Sequence, residues 1–119
     1  MSAPHLLLVD DERQILELLE LTLTMNGFMV STAQSGAEAV DLAAQRHFDL
    51  ILLDVVMTPC DGFETARQLR ARPGCPPIVF LTGLGGDDER QRGLDLGAAY
   101  LVKPFRPAQL LDTIRATLA

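Results

Sequence analysis

Five positions of this sequence carry side chains suited to holding a hard cation or handling a phosphoryl group, and each stands where an apolar run stops. Leu50-Ile51-Leu52-Leu53 ends in Asp54. Leu6-Leu7-Leu8-Val9 ends in Asp10 and Asp11, with a further acid, Glu12, after them; Ile78-Val79-Phe80-Leu81 ends in Thr82, and Leu101-Val102 ends in Lys103. In an open parallel sheet the ligand crevice lies beyond the carboxyl ends of the strands, so an acid there faces a site rather than the core. The alternative for Asp54 is a cap on the loop that follows. Three carboxylates within a few ångströms repel each other: at about 5 Å and an effective dielectric near 20, each pair costs about 3 kcal/mol, so Asp10, Asp11 and Asp54 together call for a cation or a proton. An all-oxygen set without His or Cys points to Mg²⁺ or a similarly hard ion rather than zinc. Beside such an ion, Asp54 has the surroundings of a nucleophile in phosphoryl transfer. Lys103 would neutralise charge on the equatorial oxygens and Thr82 would donate a hydrogen bond to one of them. Taken alone, Thr82 can equally be a strand-end hydroxyl bonded to its own backbone.

The basic residues strengthen the case for Lys103. Of ten Lys and Arg, nine are Arg, so the chain places Arg wherever an unspecialised surface charge is wanted. Lysine is a compact point charge on a flexible stem, suited to reaching a single phosphate oxygen. His5 stands at the opposite end of its strand from the acids and His47 precedes the third strand, so both are expected to be structural. Cys60 and Cys75 have neither CxxC nor metal-ligand spacing, and no disulfide is expected between them. The formal charge of -6 argues against direct contact with nucleic acid, which needs clustered Lys and Arg. No stretch has the length and apolarity of a membrane span and no basic-then-apolar leader opens the chain, so a soluble, cytoplasmic protein is expected.

The elements that must position these residues follow from hydrophobic period and punctuation. Residues 5–9, 28–33, 49–53, 78–81 and 99–102 read as strands. A helix from about Arg13 presents Ile15, Leu18, Leu19, Thr22 and Leu23 on one stripe and stops at Asn26-Gly27. Ser35-Gly36-Ala37-Glu38 is a capping box opening a helix through about Arg46. Asp61 and Glu64 signal the start of a third helix, with Phe63, Ala66 and Leu69 inward and Arg67, Arg70 and Arg72 on a solvated face. Pro73-Gly74-Cys75-Pro76-Pro77 breaks it. Gly83, Gly85 and Gly86 imply a mobile loop, and residues 87–95 a short, charged and weakly packed fourth helix. Pro107 starts the fifth, whose stripe is Leu110, Leu111, Ile114 and Leu118. Strands alternating with helices at this spacing mean one α/β domain over residues 1–119: a flavodoxin-like, doubly wound parallel sheet of five strands in the order 2-1-3-4-5, with five helices. That order puts strands 1 and 3 side by side.

With these residues in place, the chain resembles the receiver domain of bacterial two-component response regulators from Leu6 to Leu118. The resemblance rests on Val9-Asp10-Asp11-Glu12, Leu53-Asp54, Asp61-Gly62, Leu81-Thr82, Gly97-Ala98 and Tyr100-Leu101-Val102-Lys103-Pro104-Phe105. It implies that Asp54 is the phosphoacceptor, that Asp11, Asp54 and the carbonyl of Val56 ligate Mg²⁺ with Asp10 helping through water, and that Lys103 contacts the phosphoryl group. It also implies that Thr82 is the switch hydroxyl, Tyr100 the aromatic switch, and Lys103–Pro104 a cis bond. Tyr100 has the alternative of a packing residue in both states. The implied partners are a sensor histidine kinase or histidine phosphotransfer protein, and a downstream output domain or protein at the helix 4/strand 5/helix 5 face, which could also pair two copies of the chain. The chain is then either a stand-alone regulator or the receiver portion of a longer one. Departures from the family pattern are Thr58-Pro59, where the proline usually stands one place earlier, and Gly83, where Ala is common. Val56 and Leu84 are apolar at positions that influence hydrolysis in relatives, so slow loss of phosphate is expected. A dehalogenase-type phosphatase would want a second acid two residues after Asp54, where Val56 stands. A phosphorylation-independent interaction module would usually have lost the acids or the lysine.

Overall fold

A computed structural model describes residues 3–55, 62–82, 99–103 and 105–119, with the side chain of Thr82 left out. Among them are five strands, β1 (His5–Val9), β2 (Met29–Ala33), β3 (Leu50–Asp54), β4 (Ile78–Thr82) and β5 (Ala99–Val102), and four helices, α1 (Arg13–Met25), α2 (Gly36–Gln45), α3 (Gly62–Arg70) and α4 (Pro107–Leu118). The helix expected over 87–95 lies outside the described residues, so α4 is the helix read above as the fifth. All strand pairs are parallel and the order is β2-β1-β3-β4-β5, as expected.

The central strands are apolar on both faces because helices cover both. Leu6, Leu8, Leu50 and Leu52 point to one side and pack with Leu16 and Leu23 of α1 and Leu110 and Ile114 of α4. Leu7, Val9, Ile51 and Leu53 point to the other, against Ala39 of α2 and Phe63, Ala66 and Leu69 of α3. Successive side chains alternate between these two cores, as a strand's period of two requires.

Local chemistry sets most element ends. Gly27 stops α1 at φ 92°, with open space around its missing side chain, so its conformation rather than its size is what the turn uses. Ser35 Oγ accepts from the Glu38 N–H at 3.1 Å, and the Glu38 carboxylate reaches back to the Gln34 N–H at 3.3 Å, one residue before the reciprocal partner of a strict capping box. At the start of α4, Gln109 Oε1 accepts from the Arg106 N–H at 2.8 Å.

One expectation is corrected. In α1 the buried leucines are Leu16 and Leu23, while Leu18 is 64% exposed. At 3.6 residues per turn the helix is rolled roughly 60° from the stripe read in the sequence. Ile15, Leu16, Leu18, Leu19, Leu21 and Leu23 make α1 apolar around much of its circumference, so period alone does not choose the inward side. Leu18 instead lines an apolar cleft of about 510 Å³ between α1 and α4, with Ile15, Leu19, Phe105, Pro107 and Leu110. The other inward and outward assignments hold, Arg67, Arg70 and Arg72 being exposed. No helix of the described residues is long and apolar enough to cross a membrane.

Both histidines sit at the far end of the sheet from the acids. His5 Nε2 pairs with Ser31 Oγ at 2.8 Å, its ring packs on Phe48 with centroids 4.7 Å apart, and its backbone N–H donates to Asp49 at 2.7 Å. His47 lies 3.4 Å from Asp49. Cys75 carries a free thiol whose pKa burial pushes up, against a smaller lowering influence from Arg70, which makes it a weak nucleophile. Cys60 lies outside the described residues.

Candidate functional site

Parallel pairing of β1 with β3 sets Val9 opposite Leu53, and the next residue of each strand is an acid. Asp10 is held by its own backbone, which donates to the Ala33 carbonyl at 3.1 Å. Its Oδ1 accepts from the Glu12 N–H at 2.9 Å, an Asx turn that steers the chain from β1 into α1. Asp54 closes β3 opposite Leu81, and the following Val55 N–H donates to the Leu81 carbonyl at 3.2 Å. The Asp10 and Asp54 side chains are only 2% and 6% exposed.

Lys103 follows β5, two strands away from β3, and its long stem spans the end of β4. Its ammonium lies 3.6 Å from Asp10 Oδ2 and 3.8 Å from Asp54 Oδ1, so one cation bridges both buried acids. These are ion-pair distances rather than hydrogen bonds. Asp10 Oδ2 has no hydrogen-bond partner among the described residues although it is fully buried, an arrangement that is costly unless something else satisfies it. The exposed acids Asp11 and Glu12 bring oxygens within 4.8 Å of an Asp10 oxygen. Two buried carboxylates thus share one ammonium and two exposed ones stand beside Asp10; the donors are all hard oxygens, one of them without a hydrogen bond among the described residues. That set fits a hard divalent cation in its charge, its donor type and its unsatisfied atom.

The structure therefore brings together Asp10, Asp54 and Lys103 directly, with Asp11 at the rim. It adds Glu12, which had no assigned role; the run Asp10-Asp11-Glu12 was its only signal in the sequence. Thr82 is the last residue of β4, paired with Val102, so its backbone stands at the same edge of the sheet. Tyr100 is half-buried and ends an aromatic row: Phe63 of α3 to Phe80 of β4 at 5.2 Å between centroids, then Phe80 to Tyr100 at 6.4 Å. Val56, Leu84, Asp61, the Thr58-Pro59 departure, Gly83 and the Lys103–Pro104 bond lie outside the described residues. A buried carboxylate beside a cation site and an ammonium is equipped to attack phosphorus while charge on the transferring group is neutralised.

Comparison with known proteins gives the family. The family model for the response regulator receiver domain matches residues 6–115. Response regulator MprA of Mycobacterium sp. (strain KMS) is 46% identical over 115 residues, covering 96% of this chain and 50% of that protein. The uncharacterized transcriptional regulatory protein YkoG of Bacillus subtilis is 38% identical over 119 residues, covering 99% of this chain and 52% of that one. The chain thus spans about half the length of the curated relatives it matches. The crystallised chemotaxis response regulator CheY4 of Vibrio cholerae superposes with a TM-score of 0.91 at 34% identity, covering 98% of this chain and 99% of its own. By sequence and by fold, this chain belongs to the response regulator receiver family, the signalling switches of two-component systems.

Proposed function

We propose that the chain is a phosphorylation-driven switch in which Asp54 accepts a phosphoryl group from a phosphohistidine on a sensor histidine kinase or histidine phosphotransfer protein. The observation that carries this reading is the buried Asp54 carboxylate held 3.8 Å from the Lys103 ammonium, which also reaches Asp10. An Asp54 oxygen attacks phosphorus, the P–N bond to the imidazole breaks, and an acyl phosphate remains on the protein. Lys103 turns from the carboxylate to the new phosphoryl oxygens, keeping its charge where negative charge accumulates. Asp10, Asp11, Asp54 and the Val56 carbonyl would hold Mg²⁺, Asp10 through water. When bound, Mg²⁺ supplies charge neutralisation for the phosphoryl oxygens.

Thr82 then follows the phosphoryl group as a hydrogen-bond donor, and Tyr100 turns inward along the aromatic row. The face expected from the sequence at helix 4, strand 5 and helix 5, of which β5 and α4 are described, changes for an output domain, an output protein or a second copy of the chain. The chain's only catalysis is its own phosphorylation and dephosphorylation, and residues 1–119 act as one unit in the cytoplasm.

The test is incubation with Mg²⁺ and acetyl phosphate followed by intact mass, beside Asp54→Ala. One added phosphoryl group, absent from the variant, is expected. An unmodified wild type that nonetheless binds Mg²⁺ would overturn acceptance from small donors. Because Val56 and Leu84 cannot orient an attacking water, the phosphorylated form should outlast many minutes at neutral pH. Decay within seconds, followed by the same mass shift, would contradict that role.

A further inference from the structure

The geometry points to Gly62 as a positioning residue for Asp54, an inference that rests on the reading of Asp54 as the acceptor. Gly62 is the first residue of α3, and its N–H donates to the Val55 carbonyl at 2.7 Å, which ties the helix start to the end of β3. It is not among the residues with positive φ, so its backbone conformation is open to any amino acid. Space is the constraint. A Cβ at this position would fall on the Asp54 carbonyl oxygen and lie 2.9 Å from the Asp54 carbonyl carbon and 2.7 Å from the Val55 Cα. All three are main-chain atoms, which cannot rotate aside as a side chain can.

The first turn of α3 therefore rests directly on the peptide that joins Asp54 to Val55. On its other side the same peptide is held by β4 through the Val55 N–H and the Leu81 carbonyl. Its orientation sets the direction in which Asp54 projects its carboxylate toward Lys103. α3 is anchored in the core by Phe63, Ala66 and Leu69, so the helix start cannot back away freely and a methyl group at position 62 presses on the Asp54–Val55 peptide. The consequence is a displaced carboxylate in a folded protein.

Gly36 provides the control. A Cβ there would collide as closely, but with the Thr65 hydroxyl, and would lie 3.3 Å from the Thr65 Cβ; this is a contact of α2 with a side chain of α3, not with the main chain of Asp54 or Val55. Gly36→Ala and Gly62→Ala should both lower the unfolding midpoint. Only Gly62→Ala should weaken Mg²⁺ binding measured by calorimetry and, at saturating Mg²⁺, slow phosphorylation of Asp54 by acetyl phosphate by about 10- to 100-fold, the scale of a misplacement near 1 Å. Three results would overturn the inference: a folded Gly62→Ala that phosphorylates at the wild-type rate, a Gly36→Ala slowed equally, or a Gly62→Ala that stays unfolded even in trimethylamine oxide, which would make the glycine a requirement of the fold alone. A wild-type chain that never gains a phosphoryl group would instead refute the acceptor reading, so the two failures are distinct.

Discussion

Lys103 is the cation that joins the buried acids, and its removal separates two effects that its position combines. With Lys103→Met, Asp10 and Asp54 lose their bridging ammonium while their burial is unchanged. Phosphorylation of Asp54 should fall by about 100-fold or more, the usual consequence of deleting a group that stabilises developing charge. Mg²⁺ should bind more tightly, since a competing positive charge less than 4 Å from both carboxylates has gone. Calorimetry beside the mass assay checks both, and weaker Mg²⁺ binding would mean that the lysine organises the acids instead. Most of this site was legible at the residue scale because its members sit where apolar runs end in charge. Gly62 was legible only as a motif letter, since the main chain it touches is brought there by folding.

At the scale of elements, α1 shows where periodicity stops deciding. Six of its apolar residues compete for the inward side, and the sheet selects Leu16 and Leu23 over Leu18. Leu16→Ala should therefore cost about 2–5 kcal/mol in urea unfolding, as truncation of a buried leucine does. Leu18→Ala should stay within about 0.5 kcal/mol of wild type. The reverse order would restore the stripe read from sequence. Elsewhere turn chemistry was sufficient: Gly27, Ser35 and Pro107 end or begin their helices where their backbone and capping preferences dictate. For α3 and α4 the apolar stripe is narrow and flanked by charge, and the expected faces are the buried ones.

For the molecule as a whole, the accumulation of acids at one edge is a stability liability that a cation relieves. Two buried carboxylates sharing one ammonium, one of their oxygens without a hydrogen bond among the described residues, and two more acids beside Asp10 oppose folding. Mg²⁺ at about 100 times its dissociation constant should add about 2.7 kcal/mol and raise the melting temperature by about 5–15 °C. EDTA should abolish the gain and Asp10→Asn should blunt it. Asp10→Asn should also raise the melting temperature without Mg²⁺, because it removes one of two neighbouring buried charges. Thermal scans with and without the ion measure all three.

The sequence by itself determined the class of fold, the strand order and the acids and lysine that meet at one end of the sheet. Those depend on local signals: doubly apolar runs that suit only a sheet covered on both faces, glycine and capping residues that punctuate it, and acids placed at strand ends. Tertiary structure decided which side of α1 is buried, that one ammonium reaches Asp10 and Asp54 together, that one Asp10 oxygen has no hydrogen bond among the described residues, and that Gly62 lies against the Asp54 peptide. Each of these is a contact between segments far apart in the chain, and its distance depends on how helices and strands pack rather than on the preferences of any one residue.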